Sequence, residues 1–239
     1  YALFNNTSGT ENTAIGYYAL LNNTFGRYNT AIGNGALSYN TSGTDNTALG
    51  YRALYQNTTG NYNIAIGNAA LSWNITGTYN TAIGNAALRL NTGANNTASG
   101  NGALSVNTTG NYNTAIGVRA LSYNATGNYN TAIGVGADVS VDGLTNATAI
   151  GNGAIVAASN SIQLGNGNVT NVKTSGTITA GAVTYPNTHG TNGQVLSTTG
   201  SGTLAWTTTS APTGASTSAQ GIIQLAGDLG GTASSPTVN

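Results

Sequence analysis

The chain has 239 residues, and only 4% of them are charged, five basic and five acidic. A soluble domain carries about 25% charged residues. Zero net charge and the absence of cysteine argue against a nucleic-acid-binding surface and exclude a disulfide framework. The 39% apolar content permits a packed core, because disordered chains combine low hydrophobicity with high net charge. We predict no cofactor.

The first 151 residues are dominated by a repeat. The chain opens inside it at Tyr1, from which we expect an excerpt of a longer chain or a processed product. Its consensus is N-T-A-I-G-N-G-A-L-S-Y-N-T-T-G-N-Y, and we number its positions 1 to 17 from the first Asn. The motif alanine at position 3 recurs every 17 residues, with one interval of 16, at Ala14, Ala31, Ala48, Ala65, Ala82, Ala98, Ala115, Ala132 and Ala149.

The length of this repeat predicts one coil of a β-solenoid. Seventeen residues are too few for a helix-turn-helix unit or a propeller blade. Glycines at positions 5 and 15 each cost about 1 kcal/mol inside a helix. We predict two short strands per coil, at positions 2–4 and around the Ala-Leu pair at positions 8–9. The Asn-Thr-Thr-Gly segment supplies the closing turn.

Stacked coils place equivalent residues above one another at about 4.8 Å, so nine coils span roughly 40 Å. The predicted inward ladder is Ile15, Ile32, Leu49, Ile66, Ile83, Ile116, Ile133 and Ile150. A second apolar ladder is Leu20, Leu37, Leu54, Leu71, Leu88, Leu104 and Leu121. An amide ladder, bonded from coil to coil, is Asn23, Asn40, Asn57, Asn74, Asn91, Asn107 and Asn124. The predicted outward arginines are Arg27, Arg52, Arg89 and Arg119.

The core of such a coil is thin. One Ile and one Leu per coil give little apolar burial against the entropy of ordering 17 residues. Association of several chains along the rod would bury a second apolar face. The sequence therefore predicts a homo-oligomer.

The repeat decays after Gly134. Residues 139–143 indicate a modified coil or an insertion, and residues 161–167 indicate a terminal coil. Further on we predict short strands at 177–179, 203–208 and 221–226, with a linker at 210–218. The predicted domains are a repeat domain at 1–165, a β-rich connector at 166–209, and a linker with a β segment at 210–239.

Several side-chain patterns allow more than one interpretation. The tyrosines at position 17 suit carbohydrate or protein contact, although we favour packing over the coil edge or between chains; they are Tyr28, Tyr62, Tyr79, Tyr112 and Tyr129. The position-2 threonines would suit ice binding or simply strand formation; they are Thr13, Thr30, Thr47, Thr81, Thr97, Thr114 and Thr131. The Asn-x-Ser/Thr sequons would be glycosylation acceptors or turn chemistry, and we favour turns; they include Asn6, Asn40, Asn57, Asn74, Asn107 and Asn124.

Catalytic and metal chemistry have few candidates. The single histidine, His189, lies in a predicted turn, and the five acids are scattered along the chain. Asp138 and Asp142 are close enough in sequence to suggest calcium, although a solvated loop is our preferred interpretation. A glycosidase needs two carboxylates about 5 to 9.5 Å apart, and five acids dispersed along the chain do not indicate such a pair. We predict no enzyme, no catalytic residue and no metal site.

The repeated Asn-Thr-Ala-Ile-Gly-Asn-Gly-Ala motif is similar to the head repeats of YadA-type trimeric autotransporter adhesins. That resemblance implies a left-handed parallel β-roll built from three chains. Residues 161–185 and 193–206 resemble segments of phage and virus tail-fibre proteins. Residues 221–238, with Gln-Leu-Ala-Gly-Asp-Leu-Gly-Gly-Thr, resemble a recurrent element of bacteriophage tail fibres. The usual adhesin repeat is shorter than 17 residues.

Together these features predict an all-β, homotrimeric fibre segment that is extracellular or borne on a virion. Its expected role is attachment to a cell-surface glycan or protein receptor. A bacterial trimeric adhesin head is the alternative within this class, and a glycan-degrading tailspike is the alternative from another class. The longest apolar run, residues 154–158, is too short to insert into a membrane.

Overall fold

The computed structural model describes residues 1–209 except 182, 187, 199 and 202. It divides into two units, one from Tyr1 to Thr170 and one that begins at Asn171. The predicted linker and β segment at 210–239 lie outside the described residues.

The first unit is a parallel β-solenoid, as the repeat predicted. One ten-stranded parallel sheet runs along it, and its strands pair in chain order. Equivalent residues pair from coil to coil, so that Ala31 is opposite Ala48. These strands are β1 Thr13–Ile15, β2 Thr30–Ile32, β3 Thr47–Leu49, β4 Ile64–Ile66, β5 Thr81–Ile83, β6 Thr97–Ser99, β7 Thr114–Ile116, β8 Thr131–Ile133, β10 Thr148–Ile150 and β12 Ile162–Leu164.

Most coils contain one strand, and the prediction of a second strand at the Ala-Leu pair was wrong. Leu37 at position 9 has a φ of 50°, and Leu54 has the same value. This left-handed backbone cannot continue an extended strand. The pair instead forms a turn in which the Leu37 N–H donates to the Ala53 carbonyl of the next coil at 3.0 Å. The strain of this conformation is offset because the leucine side chains are fully buried.

The core consists of alanine and leucine. The position-3 alanines from Ala31 onward are buried, as are the alanines at position 8 and the leucines from Leu20 to Leu121. The predicted leucine ladder is therefore confirmed. Narrow coils leave room for alanine methyl groups beneath the sheet and for one leucine per coil.

The predicted inward ladder at position 4 was wrong, because these side chains form a ladder on the outside of the sheet. In a three-residue strand the side chain between two outward neighbours points inward, and here that residue is alanine. Ile15 is 59% exposed and Ile133 is 41% exposed. We call this ladder the isoleucine row; its members are Ile15, Ile32, Leu49, Ile66, Ile83, Ile116, Ile133 and Ile150.

Two buried asparagine ladders close the coils. In the predicted one, Nδ2 of Asn57 donates to Oδ1 of Asn40 at 2.8 Å and to the Gly60 carbonyl at 3.0 Å. The motif asparagines at position 1 form a second ladder, which the sequence reasoning missed. There Oδ1 of Asn29 accepts from the backbone N–H of Asn46 at 3.0 Å. Within the described residues, no buried side-chain nitrogen or oxygen lacks a hydrogen-bond partner.

The last coils depart from the consensus as predicted. Strand β9, Asp138–Val139, pairs in parallel with β11, Ile155–Val156, and the two add a second short sheet. Strand β12 pairs with β10 and ends the large sheet, which confirms a terminal coil at 161–167.

The second unit contains two antiparallel strand pairs. They are β13 Ile178–Ala180 with β14 Val183–Tyr185, and β15 Gln194–Thr198 with β16 Leu204–Thr208. The indole Nε1 of Trp206 donates to the Thr188 carbonyl at 2.7 Å. The predicted strands at 177–179 and 203–208 correspond to β13 and β16 within one residue.

Candidate functional site

The large sheet presents its outer face to solvent. The residues at positions 2 and 4 of each repeat, the two ends of each strand, project from this face, so the predicted threonine ladder lies beside the isoleucine row. Thr13 and Ile15 are both exposed, and Ile162 and Leu164 extend the apolar surface beyond Ile150. The result is a strip of apolar and hydroxyl side chains along the solenoid.

The position-17 tyrosines form a second exposed ladder. Tyr62 and Tyr79 stack with ring centroids 4.9 Å apart and an interplanar angle of 6°. Tyr112 and Tyr129 stack in the same way at 5.0 Å and 2°. All four rings are half-exposed, which confirms packing at the coil edge while leaving the ring edges open to a partner.

A cleft opens where three successive coils depart from the consensus at positions 6, 7, 10 and 11. Its volume is about 340 Å³, at the small end of the range of about 300–1,000 Å³ that is typical of ligand sites. It lies between coils rich in large side chains, with a floor of small ones. The residues that line it are Tyr51, Arg52, Tyr55, Gln56, Ala69, Ser72, Trp73 and Arg89.

The depth of the cleft comes from the alternation of large and small residues along the stack. At position 10 the three coils carry Tyr55, Ser72 and Arg89 in turn. Adjacent coils are about 4.8 Å apart, so the small Ser72 leaves a gap between two long neighbours. Ala69 leaves a similar gap after Arg52 at position 7.

Aromatic rings hold the first arginine in place. The guanidinium carbon of Arg52 lies 5.0 Å from the centroid of the Tyr55 ring and 5.2 Å from that of Tyr51. Both distances are within the range of a cation–π contact. Tyr39 packs edge-on against Tyr55, with ring centroids 5.0 Å apart. A hydrogen bond with the side chain of Tyr39 raises the pKa of Tyr55. The phenol of Tyr55 thus stays neutral at physiological pH.

Backbone hydrogen bonds between coils form the wall of the cleft. The N–H of Gln56 donates to the Ser72 carbonyl at 2.9 Å, and the N–H of Trp73 donates to the Arg89 carbonyl at 3.0 Å. Because these bonds fix the backbone, the side chains of the cleft project from a rigid frame.

All four repeat arginines are exposed, as predicted. In the part of the chain that the structure describes, no carboxylate pairs with Arg52 or Arg89, and no acidic residue lines the cleft. Two of the five basic residues of the chain therefore lie at one cleft, and among the described residues no carboxylate neutralises them there.

The two aspartates considered for calcium each bind protein donors instead. Asp138 is 3% exposed and accepts from Ser122 Oγ at 2.8 Å and from the Val139 N–H at 2.8 Å. Burial raises its pKa despite these bonds. Asp142 accepts from the backbone N–H groups of Ala125 and Thr126 at 2.7 and 2.8 Å. Slight burial opposes these bonds, but they prevail and lower its pKa.

Catalytic and metal centres have no assembled candidate among the described residues. No group of three or more His, Cys, Asp and Glu side chains is close enough there to hold a metal ion. His189 is exposed, with Nδ1 3.2 Å from the Gly190 carbonyl oxygen.

Buried amides explain the sequons as turn chemistry. The amides of Asn40, Asn57, Asn74, Asn107 and Asn124 are fully buried and donate along the ladder. Asn23 and Asn91 keep the ladder without a sequon. In the folded chain these five side chains are inaccessible to a glycosyltransferase.

Sequence reasoning did not predict the cleft. The signal was the departure of single coils from the consensus: Tyr-Arg replaces Asn-Gly at 51–52, Trp73 replaces Tyr, and Arg89 replaces Ser. Positions that form the rod repeat in every coil, whereas a local site requires residues that do not repeat.

Comparison of the sequence with protein-family models and with curated proteins finds no match. None of the described residues belongs to a helix that is long and apolar enough to cross a membrane.

Proposed function

We propose that this chain is a segment of a homotrimeric attachment fibre, borne on a virion tail or on a cell surface. The observation that carries the proposal is the isoleucine row, an apolar strip on the outside of a regular parallel sheet that only Ser99 interrupts. The number three comes from the resemblance of the repeat to trimeric adhesin heads. The tail-fibre resemblance of residues 221–238, together with that of residues 161–185 and 193–206, favours a virion over a bacterial adhesin.

The exposure of the row argues for a partner surface. Ile15, Leu49, Ile83 and Ile116 are each more than 40% exposed, although the chain has only three apolar core residues in a typical coil. Soluble monomers rarely expose contiguous apolar patches larger than a few hundred Å². Burial of this strip against other copies contributes roughly 25 cal/mol for each Å² removed from water.

The role of such an assembly is mechanical and adhesive. A stack of hydrogen-bonded coils forms a rod that can present a binding site. Three copies of that site provide avidity at modest single-site affinity. We propose a cell-surface glycan or protein as the receptor, and an extracellular or virion location. The proposal includes no catalytic step.

Substitution within the row tests the assembly. Ile83→Asp combined with Ile116→Asp places six carboxylates along the contact of a trimer. We expect the full chain to sediment at three times 23.7 kDa and this variant at 23.7 kDa. Thr59→Asp is the control, because Thr59 is exposed at position 14 and lies away from the sheet.

A wild-type chain that sediments as a monomer at all concentrations contradicts the trimer. The same strip would then be open to solvent, and inhibition of ice recrystallisation by that monomer would favour the threonine-ladder interpretation instead.

A further inference from the structure

We propose that the cleft between Arg52 and Arg89 binds an acidic saccharide, a sugar chain that bears carboxylate or sulfate groups. This inference names the ligand class of the attachment function proposed above and rests on that function. It requires three features of the ligand: negative charge, hydroxyl groups and flat C–H faces.

The requirement for negative charge on the ligand follows from the two arginines of the cleft. A guanidinium group presents planar paired N–H donors that match carboxylate and sulfate oxygens. Arg52 and Arg89 are exposed, and within the described residues neither is paired with an acid. In a chain of 4% charge, two cations at one cleft are a strong local concentration.

The flat C–H faces follow from the aromatic residues. Trp73 is 50% exposed and Tyr51 is 46% exposed, and both line the cleft. Exposed rings of this kind stack on the apolar face of a pyranose. The ring of Tyr51 also contacts Arg52, so that charge and stacking surface lie side by side.

The hydroxyl groups of a sugar match the remaining polar residues. Gln56 and Ser72 add an amide and a hydroxyl to the lining. An acidic peptide such as oligoglutamate would supply negative charge but neither the hydroxyl groups nor the flat C–H faces that these polar and aromatic residues match. The volume of about 340 Å³ accommodates one or two sugar rings.

The backbone of the cleft and the side chain of Arg52 are held in place before a ligand binds, which favours affinity at a small site. The coil-to-coil hydrogen bonds and the cation–π contacts of Arg52 exist before any ligand arrives, so little ordering entropy is lost on binding. Three copies of a weak site on one fibre then supply avidity.

The test is calorimetric titration of the full chain with matched probes: sialyllactose against lactose, an oligogalacturonate, a sulfated heparin oligosaccharide, and an oligoglutamate peptide. We expect at least one acidic saccharide to bind about tenfold more tightly than lactose, with Arg52→Gln plus Arg89→Gln removing that preference. Trp73→Ala should weaken binding about fivefold, through the loss of one stacking surface. The carboxylated and sulfated probes distinguish the two acidic groups.

The repeat supplies matched controls. Arg119 occupies the same position in its coil as Arg52, and Tyr123 occupies the same position as Trp73. Arg119→Gln and Tyr123→Ala should leave affinity unchanged. Equal losses in the Arg119 variant would show unspecific charge attraction and overturn the proposal.

Three further results would overturn it: equal affinity for lactose, tighter binding of the oligoglutamate peptide than of any saccharide, or no binding of any acidic saccharide at millimolar concentration. The sedimentation mass of the same preparation separates this outcome from failure of the fibre proposal. A trimer that binds no acidic saccharide refutes only the ligand class.

Discussion

The side-chain amide of Asn57 donates a hydrogen bond of 2.8 Å to the amide oxygen of Asn40, one coil earlier in the solenoid. Both side chains are fully buried. A buried amide that loses its partner costs more than an ordinary hydrogen bond contributes. This bond between the two side chains forms only while both coils are in place, which makes the folding of neighbouring coils interdependent.

Asn74→Ala should interrupt this ladder. The substitution removes the donor to Asn57 Oδ1 at 2.9 Å and the acceptor for Asn91 Nδ2 at 3.2 Å. It also removes the donor to the Gly77 carbonyl at 2.9 Å. Three polar atoms each lose a partner, so we expect the free energy of unfolding to fall by about 2 to 4 kcal/mol. Urea denaturation at fixed chain concentration measures the change.

The control is Thr76→Ala, two residues further on in an exposed part of the same turn. Its effect should stay within about 0.5 kcal/mol. Equal effects of the two variants would show that the amide ladder does not stabilise the coil.

Gly50 lies at position 5, where adjacent coils approach each other closely. Its φ of 136° is accessible to glycine alone, and a Cβ there would lie 2.5 Å from the Gly67 carbonyl oxygen. Because this contact is to backbone, Gly50→Ala must separate two coils. We expect a loss of more than about 4 kcal/mol of unfolding free energy.

Gly136→Ala is the matched control. Gly136 has a φ of 63° with no atom within 4 Å of an added Cβ. Alanine already occupies the equivalent position at Ala69 and Ala86, with φ of 52° and 53°. A change of about 1 kcal/mol or less is expected, and thermal unfolding of the two variants in parallel compares them. Similar melting temperatures would contradict the close coil contact at position 5.

Asp138 gives the stability of the solenoid a pH dependence. Burial raises its pKa, so between about 3.9, the ordinary value, and the raised value the folded state holds a proton that the unfolded state has released. Folding then weakens as pH rises through this interval. Above the raised pKa the penalty is complete.

The comparison with Asp138→Asn isolates this effect, because Asp142, whose lowered pKa acts in the opposite direction, is present in both proteins. The unfolding free energy of the wild type relative to the variant should decline as pH rises from about 3. A difference that is independent of pH, measured by denaturant titration at several pH values, would show that burial does not raise the Asp138 pKa.

The sequence was sufficient to predict the length of each coil. It was not sufficient to predict which side chains of each strand face the core. The regular spacing of the motif predicted the coils. It also predicted the leucine and asparagine ladders, because these residues recur at the same position in successive coils. Strand alternation allows two phases, and hydrophobicity wrongly favoured an inward isoleucine. The internal repeats contained the answer: position 3 is always alanine, whereas position 4 tolerates Ser99, as a solvent-facing position does.

The second predicted strand failed for a different reason. An Ala-Leu pair has the composition of a strand, but the leucine backbone adopts a left-handed conformation that its burial and its coil-to-coil hydrogen bond stabilise together. The cleft escaped prediction because it combines residues of three coils, Arg52, Trp73 and Arg89. A consensus sequence retains only the residues that recur at each position, so these three residues do not appear in it.

An electron cryomicroscopy reconstruction of the full chain tests the central claim most directly. It should contain three solenoids related by a threefold axis, with the strands from Thr13–Ile15 to Thr148–Ile150 of each copy facing the other two. Particles that contain one solenoid, or an assembly in which the isoleucine row faces solvent, would contradict the account.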